Sequence, residues 1–179
     1  GSRRHICPHS LAYREYSRRL VTRLAQELGD HPGLALWHID NEYTNGVAEC
    51  FCEQSQAAFR RWLEEKYHSI DALNDAWGTA FWSQHYLNWD EIRAPAPTPV
   101  QANPTQKLDW QRFCSDSWLE CFQDQIDVIR KITPNIPFTT NFMSFHPPLD
   151  HWKWAGREDL VSLDDYPDQT DPKKKKKSA

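Results

Sequence analysis

Three observations predict an α/β fold built on a parallel sheet. Apolar stretches of strand length alternate with amphipathic helical segments, which is the order of β/α architecture. The stretch at 34–39 (LALWHI) is too continuously apolar for a half-exposed antiparallel edge and reads as a strand buried on both faces. All three strand-like stretches run into polar or aromatic tips: Asn41 with Glu42, Asn141 with Phe142, and Asp164 through Tyr166. Barrels and open α/β sheets alike carry their chemistry at the carboxyl ends of the strands. Three strands cannot close a barrel, so the chain is either a small open-sheet protein or part of something larger.

The elements follow in order. Ser10 can cap a helix running to about Leu28, with Leu20, Val21, Leu24 and Leu28 on one face and Gly29 and Pro32 as its stop. After the strand at 34–39 comes a loop to Cys52. A helix over Glu53–Tyr67 shows Ala58, Phe59, Trp62 and Leu63, and a shorter one over Ile70–Trp77 is capped by Ser69. The stretch 78–110 is aromatic and proline-rich, and a loop of that length inside a domain is usually functional. Within it, 94–104 (APAPTPVQANP) reads as extended and surface-lying. A long helix over 108–131 carries Cys114, Trp118, Phe122, Ile126 and Ile129 in one stripe, and Pro134 and Pro137 end it. Strands at 138–143 and 160–163 flank a short helical segment at 150–155.

Composition narrows the partners. The formal charge is −4, but five lysines at 173–177 hide an acidic remainder of 16 basic against 25 acidic residues, net −9. Nucleic-acid binding needs a basic face, so that class is excluded as the main partner. The lysine run reads as a disordered tail, giving a division into 1–168 and 169–179. No apolar run approaches the roughly 20 residues of a membrane span, and no apolar segment follows Arg3 and Arg4 as a leader would require. Five cysteines at irregular spacing do not form a disulfide framework, so a reducing cytoplasm is expected. Nine Trp supply flat surfaces that serve a core or stack on sugar rings equally well.

Glu42 is the leading candidate for chemistry. A carboxyl at a strand mouth between Trp37 and Tyr43 can be partly desolvated, as a general acid needs, while Asn41 offers a donor and an acceptor to a hydroxyl. An acid simply ending a strand in solvent fits the pattern as well. Cys50 and Cys52 with the distant Cys7 can supply three thiolates to zinc, which takes four ligands in structural sites. Three half-buried thiols are the plain alternative. His38 reads as a core or supporting residue, Asp40 as a buried acid in need of a partner, and Cys114 and Cys121 as core filler.

The motifs LWHIDNEY, RRHICP upstream, CFC downstream, FRRWLEEKYHSIDALNDAWGTAFWS, TTNFM and SLDDYPD occur in an order and spacing that resembles the bacterial β-galactosidases of glycoside hydrolase family 42. The likeness runs from Arg3 to Asp168. It implies part of a (β/α)8 TIM barrel, the segment from the third to the sixth strand, and a retaining glycosidase acting on terminal β-D-galactosides. On that likeness Glu42 is the general acid/base at the fourth strand and Asn41 holds the sugar 2-hydroxyl. Arg3 binds galactose, Tyr166 lies near the nucleophile, and Trp77 and Trp82 line a pocket of the same or a neighbouring subunit. The nucleophile, a Glu at the seventh strand, has no counterpart here, so the chain alone is expected to be inactive. The chemistry implies no cofactor, and the whole enzyme is expected to be a trimer. The related enzymes often carry a four-Cys zinc site in which Cys7, Cys50 and Cys52 have matches, but the fourth place is Ser55, a poor zinc ligand, so the alternatives are no zinc, or a water or a His as fourth ligand. A galactose-binding remnant without activity and a Cys-based metal-binding structural domain are the competing readings.

Overall fold

The computed structural model describes residues 6–99, 101–144 and 146–166. Arg3 and the lysine-rich end lie outside the described residues, and nothing below rests on them.

Helix α1 spans Leu11–Leu28, with the Ser10 hydroxyl accepting from the Tyr13 N–H. Gly29 ends it in a close approach: a Cβ there would stand 2.4 Å from the Ala25 carbonyl and 2.5 Å from the Thr133 methyl. Strand β1 is Trp37–His38, α2 is Glu53–Tyr67, and α3 is Ile70–Trp77. Gly78 closes α3 in the left-handed conformation, φ 62°, which a residue without Cβ adopts readily. Two single 3-10 turns, Phe81–Ser83 and Trp89–Glu91, follow. Helix α4 covers Pro104–Ile132, then β2 Phe138–Thr139, β3 Asn141–Phe142, α5 His151–Ala155 and β4 Ser162–Leu163.

The strands pair in parallel, in two two-stranded ladders. Strand β1 pairs with β2, and β3 pairs with β4, so the chain around 138–142 stands in the middle. The Trp37 and Ile39 N–H groups donate to Pro137 and Thr139 carbonyls on one side. On the other, Thr139 Oγ1 donates to the Leu160 carbonyl at 2.6 Å and Asp164 N–H to the Phe142 carbonyl at 2.8 Å.

At 29 residues, or roughly 43 Å, α4 is the spine. Its C-terminal half packs on α1 and the strands through Phe122, Ile126 and Ile129, joined by Phe138, Phe142 and Trp154. Its N-terminal half packs on α2 and α3 through Trp110 and Phe113, against Phe59, Leu63, Leu73 and Trp77. Each fully buried Phe or Leu contributes about 1.5–3 kcal/mol.

Several expectations are corrected. The helix expected from Leu108 starts at Pro104, because Asn103 Oδ1 accepts from the Thr105 and Gln106 N–H groups and proline suits the first helical position. The stretch 78–110 is not all loop, since Ile92 is fully buried in the second core and Tyr86 packs on Trp77. The strand at 34–39 forms a ladder only at Trp37–His38, and Leu36 and His38 are exposed rather than buried on both faces. On α1 the buried positions are Val21 and Ala25, while Leu20 is 61% exposed and Leu24 and Leu28 are also exposed. Trp77 is no pocket wall: it is buried, and its indole N–H donates to Asp109. Cys114 and Cys121 are core residues as expected; burial pushes the Cys121 thiol up to about 12 and Cys114 higher.

Leu160, Val161 and Leu163 are exposed like Leu20 and Leu24, so apolar surface is bare at both sides of the sheet. The purified chain is expected to self-associate in a concentration-dependent way in light scattering, and Leu20→Glu with Leu24→Glu to reduce that association. A monodisperse wild-type monomer would contradict this.

Candidate functional site

The carboxyl ends of β1, β3 and β4 meet at one place. Beyond β1 the backbone alternates into the left-handed region at Asp40, Glu42 and Thr44, with φ 58°, 47° and 70°. None of the three is glycine, and each such residue costs on the order of 1–3 kcal/mol unless its surroundings impose it. They do so here. Asp40 Oδ1 accepts the Asn41 N–H at 2.7 Å, and the Glu42 N–H donates to Asn141 Oδ1 at 3.0 Å. Between them Tyr43 is driven into the core against Trp118, Phe122 and Trp154, and its hydroxyl accepts from Gln125 at 3.1 Å. With Tyr43 pinned inward, Glu42 is aimed at the sheet's rim.

Glu42 is 8% exposed. Its Oε2 accepts from Asn45 Nδ2 at 2.6 Å and from Asn41 Nδ2 at 3.2 Å, two neutral amide donors on one carboxylate oxygen. Asn141, on β3, uses its other end to donate to Asp164 Oδ1 at 2.7 Å, so one amide links the tips of all three strands. The second Asp164 oxygen is buried without a partner among the described residues. A cleft of about 490 Å³ opens along the continuation of the Glu42 loop, between 46–49 with Phe51, Gln111 and Cys114 of α4, and Pro147 with Pro148. Asn141→Ala is expected to remove the acceptor of the Glu42 N–H and the donor to Asp164, at a cost of about 1–3 kcal/mol, and to lower the melting temperature. Calorimetry checks this, and an unchanged melting temperature would contradict the link.

Of the residues singled out in the sequence, Glu42, Asn41, Asn141 and Asp164 come together. Tyr166 lies two residues past Asp164 with its side chain 82% exposed. Asp40 is half-buried at the rim rather than deep. Sequence reasoning missed Asn45, although the Asn45-Gly46 pair is a turn signal that marks the chain folding back on Glu42. It also missed Glu158. Burial outweighs hydrogen bonds from the Thr140 N–H and the Thr139 hydroxyl there and pushes the carboxyl up to about 7.

The three cysteines converge as well. The Sγ atoms of Cys7, Cys50 and Cys52 lie within 4.8 Å of one another, and Cys7 and Cys52 are 3.5 Å apart. Ser55 Oγ stands 3.3 Å from the Cys7 sulfur and 3.6 Å from that of Cys52. Burial pushes the Cys7 thiol up to about 11. At Cys52 burial acts in the same direction, but hydrogen bonding with the Ser55 backbone and side chain prevails and brings it down to about 7. Three soft donors within one metal's reach fit a thiolate-binding ion.

A family model described as β-galactosidase, glycoside hydrolase family 42, matches residues 1–179. The chain belongs to that family. The β-galactosidase bgaB of Geobacillus kaustophilus is similar at 46% identity over 168 residues, covering 94% of this chain and 25% of the relative. LacZ of Heyndrickxia coagulans is 44% identical over the same shares. Among solved structures, the β-galactosidase of the psychrophilic Marinomonas ef1 superposes with a TM-score of 0.87 at 43% identity, over 93% of this chain and 26% of that one. That of Halorubrum lacusprofundi does so at 0.88, also at 43% identity, over 93% and 25%. The chain thus spans about a quarter of the length of the β-galactosidases it matches, and its fold is a partial barrel of this family. Among the described residues no helix is long and apolar enough to cross a membrane.

Proposed function

We propose that this chain forms the third to sixth strands of a retaining β-galactosidase barrel and contributes its general acid/base, Glu42. The observation that supports it most is the anchoring of Glu42 at the rim of the parallel strands. Its backbone is tied to Asn141 and its carboxylate is held by Asn45 and Asn41. A carboxyl so held can give a proton to the glycosidic oxygen and later take one from water. Asn41, exposed beside it, holds the sugar 2-hydroxyl, a contact that strengthens as the oxocarbenium character develops. On the family resemblance, Tyr166 and Arg3 bind the galactose.

Retention needs a second carboxylate about 5–5.5 Å from the first. Asp164 is engaged by Asn141, and the nucleophile belongs to the seventh strand of the barrel. The substrate is a terminal β-D-galactoside, the whole enzyme is a homotrimer, and the hydrolysis uses no cofactor. Cys7, Cys50 and Cys52 hold a structural zinc, and unpaired thiols of this kind suit a reducing cytoplasm.

A chimera tests the reading: this chain replaces the matching quarter of the Geobacillus kaustophilus relative, and turnover of a nitrophenyl β-galactoside is followed. Activity near the parent's supports the proposal. A folded, inactive chimera overturns it.

A further inference from the structure

Resting on the zinc reading above, we infer that Ser55 Oγ is the fourth ligand of the metal, so that the centre is three thiolates and one hydroxyl oxygen. The geometry carries this. Around a tetrahedral zinc with Zn–S about 2.3 Å and Zn–O about 2.0–2.2 Å, sulfur–sulfur edges measure about 3.8 Å and sulfur–oxygen edges about 3.6 Å. The Cys7–Cys52 edge is 3.5 Å, and the two edges from Ser55 Oγ are 3.3 and 3.6 Å. Ser55 therefore stands at tetrahedral-edge distance from two of the three sulfurs, and the three sulfurs lie within 4.8 Å of one another.

Its position is imposed by the helix. Cys52 is the N-cap of α2 and makes no side-chain cap hydrogen bond, which leaves its sulfur turned to the cluster. Ser55, three residues on, falls on the same side of the first turn. Ser55 is 1% exposed, so bulk water does not compete at that corner. Four thiolates around a divalent ion leave two net negative charges, and three thiolates with a neutral hydroxyl leave one. The N-terminal end of α2 stabilises what charge remains. On binding, the three thiols release their protons to solvent while the Ser55 hydroxyl keeps its own, and no oxidant or reductant takes part.

Cobalt(II) titration of the metal-free, reduced chain is the test, with zinc(II) competition for affinity. The thiolate-to-cobalt charge-transfer band counts the sulfurs, and the d–d envelope reports the oxygen corner. Wild type is expected to bind one Co(II) with three-thiolate intensity. Ser55→Cys should raise that intensity by roughly a third and tighten binding by roughly tenfold or more. Ser55→Ala should keep the three-thiolate intensity, shift the d–d envelope and weaken binding by roughly tenfold. Cys52→Ser should lose a thiolate's share of the band.

If Ser55→Ala binds with unchanged affinity and an unchanged d–d envelope, Ser55 is not a ligand, while the zinc reading survives. If Ser55→Cys binds metal and wild type does not, the hydroxyl corner is also refuted. If neither binds, although both are folded by circular dichroism, the zinc reading itself fails.

Discussion

Glu42→Gln in the chimeric β-galactosidase should lower turnover of alkyl galactosides and of lactose by about 10²–10⁴, the usual contribution of a positioned proton donor. Glutamine keeps the size and the acceptor oxygen, so the contacts from Asn45 and Asn41 persist and the melting temperature should not move. The pattern across substrates is diagnostic. Dinitrophenyl galactosides need no protonation of the leaving group, so their first step should be nearly normal while hydrolysis of the glycosyl-enzyme slows for want of a base. A burst of dinitrophenol followed by slow turnover, accelerated by azide, is the expected trace. Equal losses on good and poor leaving groups would remove Glu42 from the acid/base role. Full retention of activity would remove it from the site.

The second large effect concerns Asp109. This carboxylate is fully buried on α4 and gathers three donors from the neighbouring helices: the Lys66 ammonium, the Tyr67 hydroxyl at 2.6 Å and the Trp77 indole N–H at 3.0 Å. The Arg112 guanidinium stands 3.6 Å away. It is the polar knot of the second core, and removing one side strands the rest. Asp109→Ala is expected to cost about 3–5 kcal/mol, the usual effect of breaking a buried ion pair. For a domain of this size that is roughly 6–20 °C in melting temperature.

The pH dependence has a definite sign. Burial alone would raise the Asp109 pKa, but the hydrogen bonds from Lys66, Tyr67 and Trp77 outweigh it and hold the folded-state value below the ordinary one. The contribution is therefore fully present above the unfolded carboxyl's pKa of about 3.9 and fades as pH falls through the folded value. Denaturation followed across acid pH should show wild type losing stability over that range. The Asp109→Ala variant should show a shallower loss. An equal slope in both would mean the knot does not titrate with folding.

How much of this was legible depended on range. The Ser10, Ser69 and Asn103 caps each act within three residues, so α1 and α3 could be bounded from sequence, and the start of α4 was misjudged only because Asn103-Pro104 lay inside a proline-rich stretch. The leucine stripe of α1 misled for a different reason. Period alone cannot distinguish a face that meets α4 from one left bare, and Val21 with Ala25 took the inner side. The family likeness placed Trp77 at a pocket, and nothing local reveals that Asp109, 32 residues away, takes its N–H.

By itself the sequence determined where α1, α2 and α3 begin, that polar residues cap each strand, that Glu42 and Asn41 share one tip, and that three cysteines had metal-like spacing. All of these are local, set by capping, periodicity and residue order. Only the tertiary structure decided that Asn141 fastens Glu42 to Asp164, that Asn45 folds back on the carboxylate, and that Ser55 stands at a corner between Cys7 and Cys52. The contacts of Asn141 and Asn45 with Glu42 depend on packing around Tyr43 and Trp118, beside a left-handed turn on residues that would not adopt it alone. A strain of that kind is set by the whole core and by no short stretch of the chain.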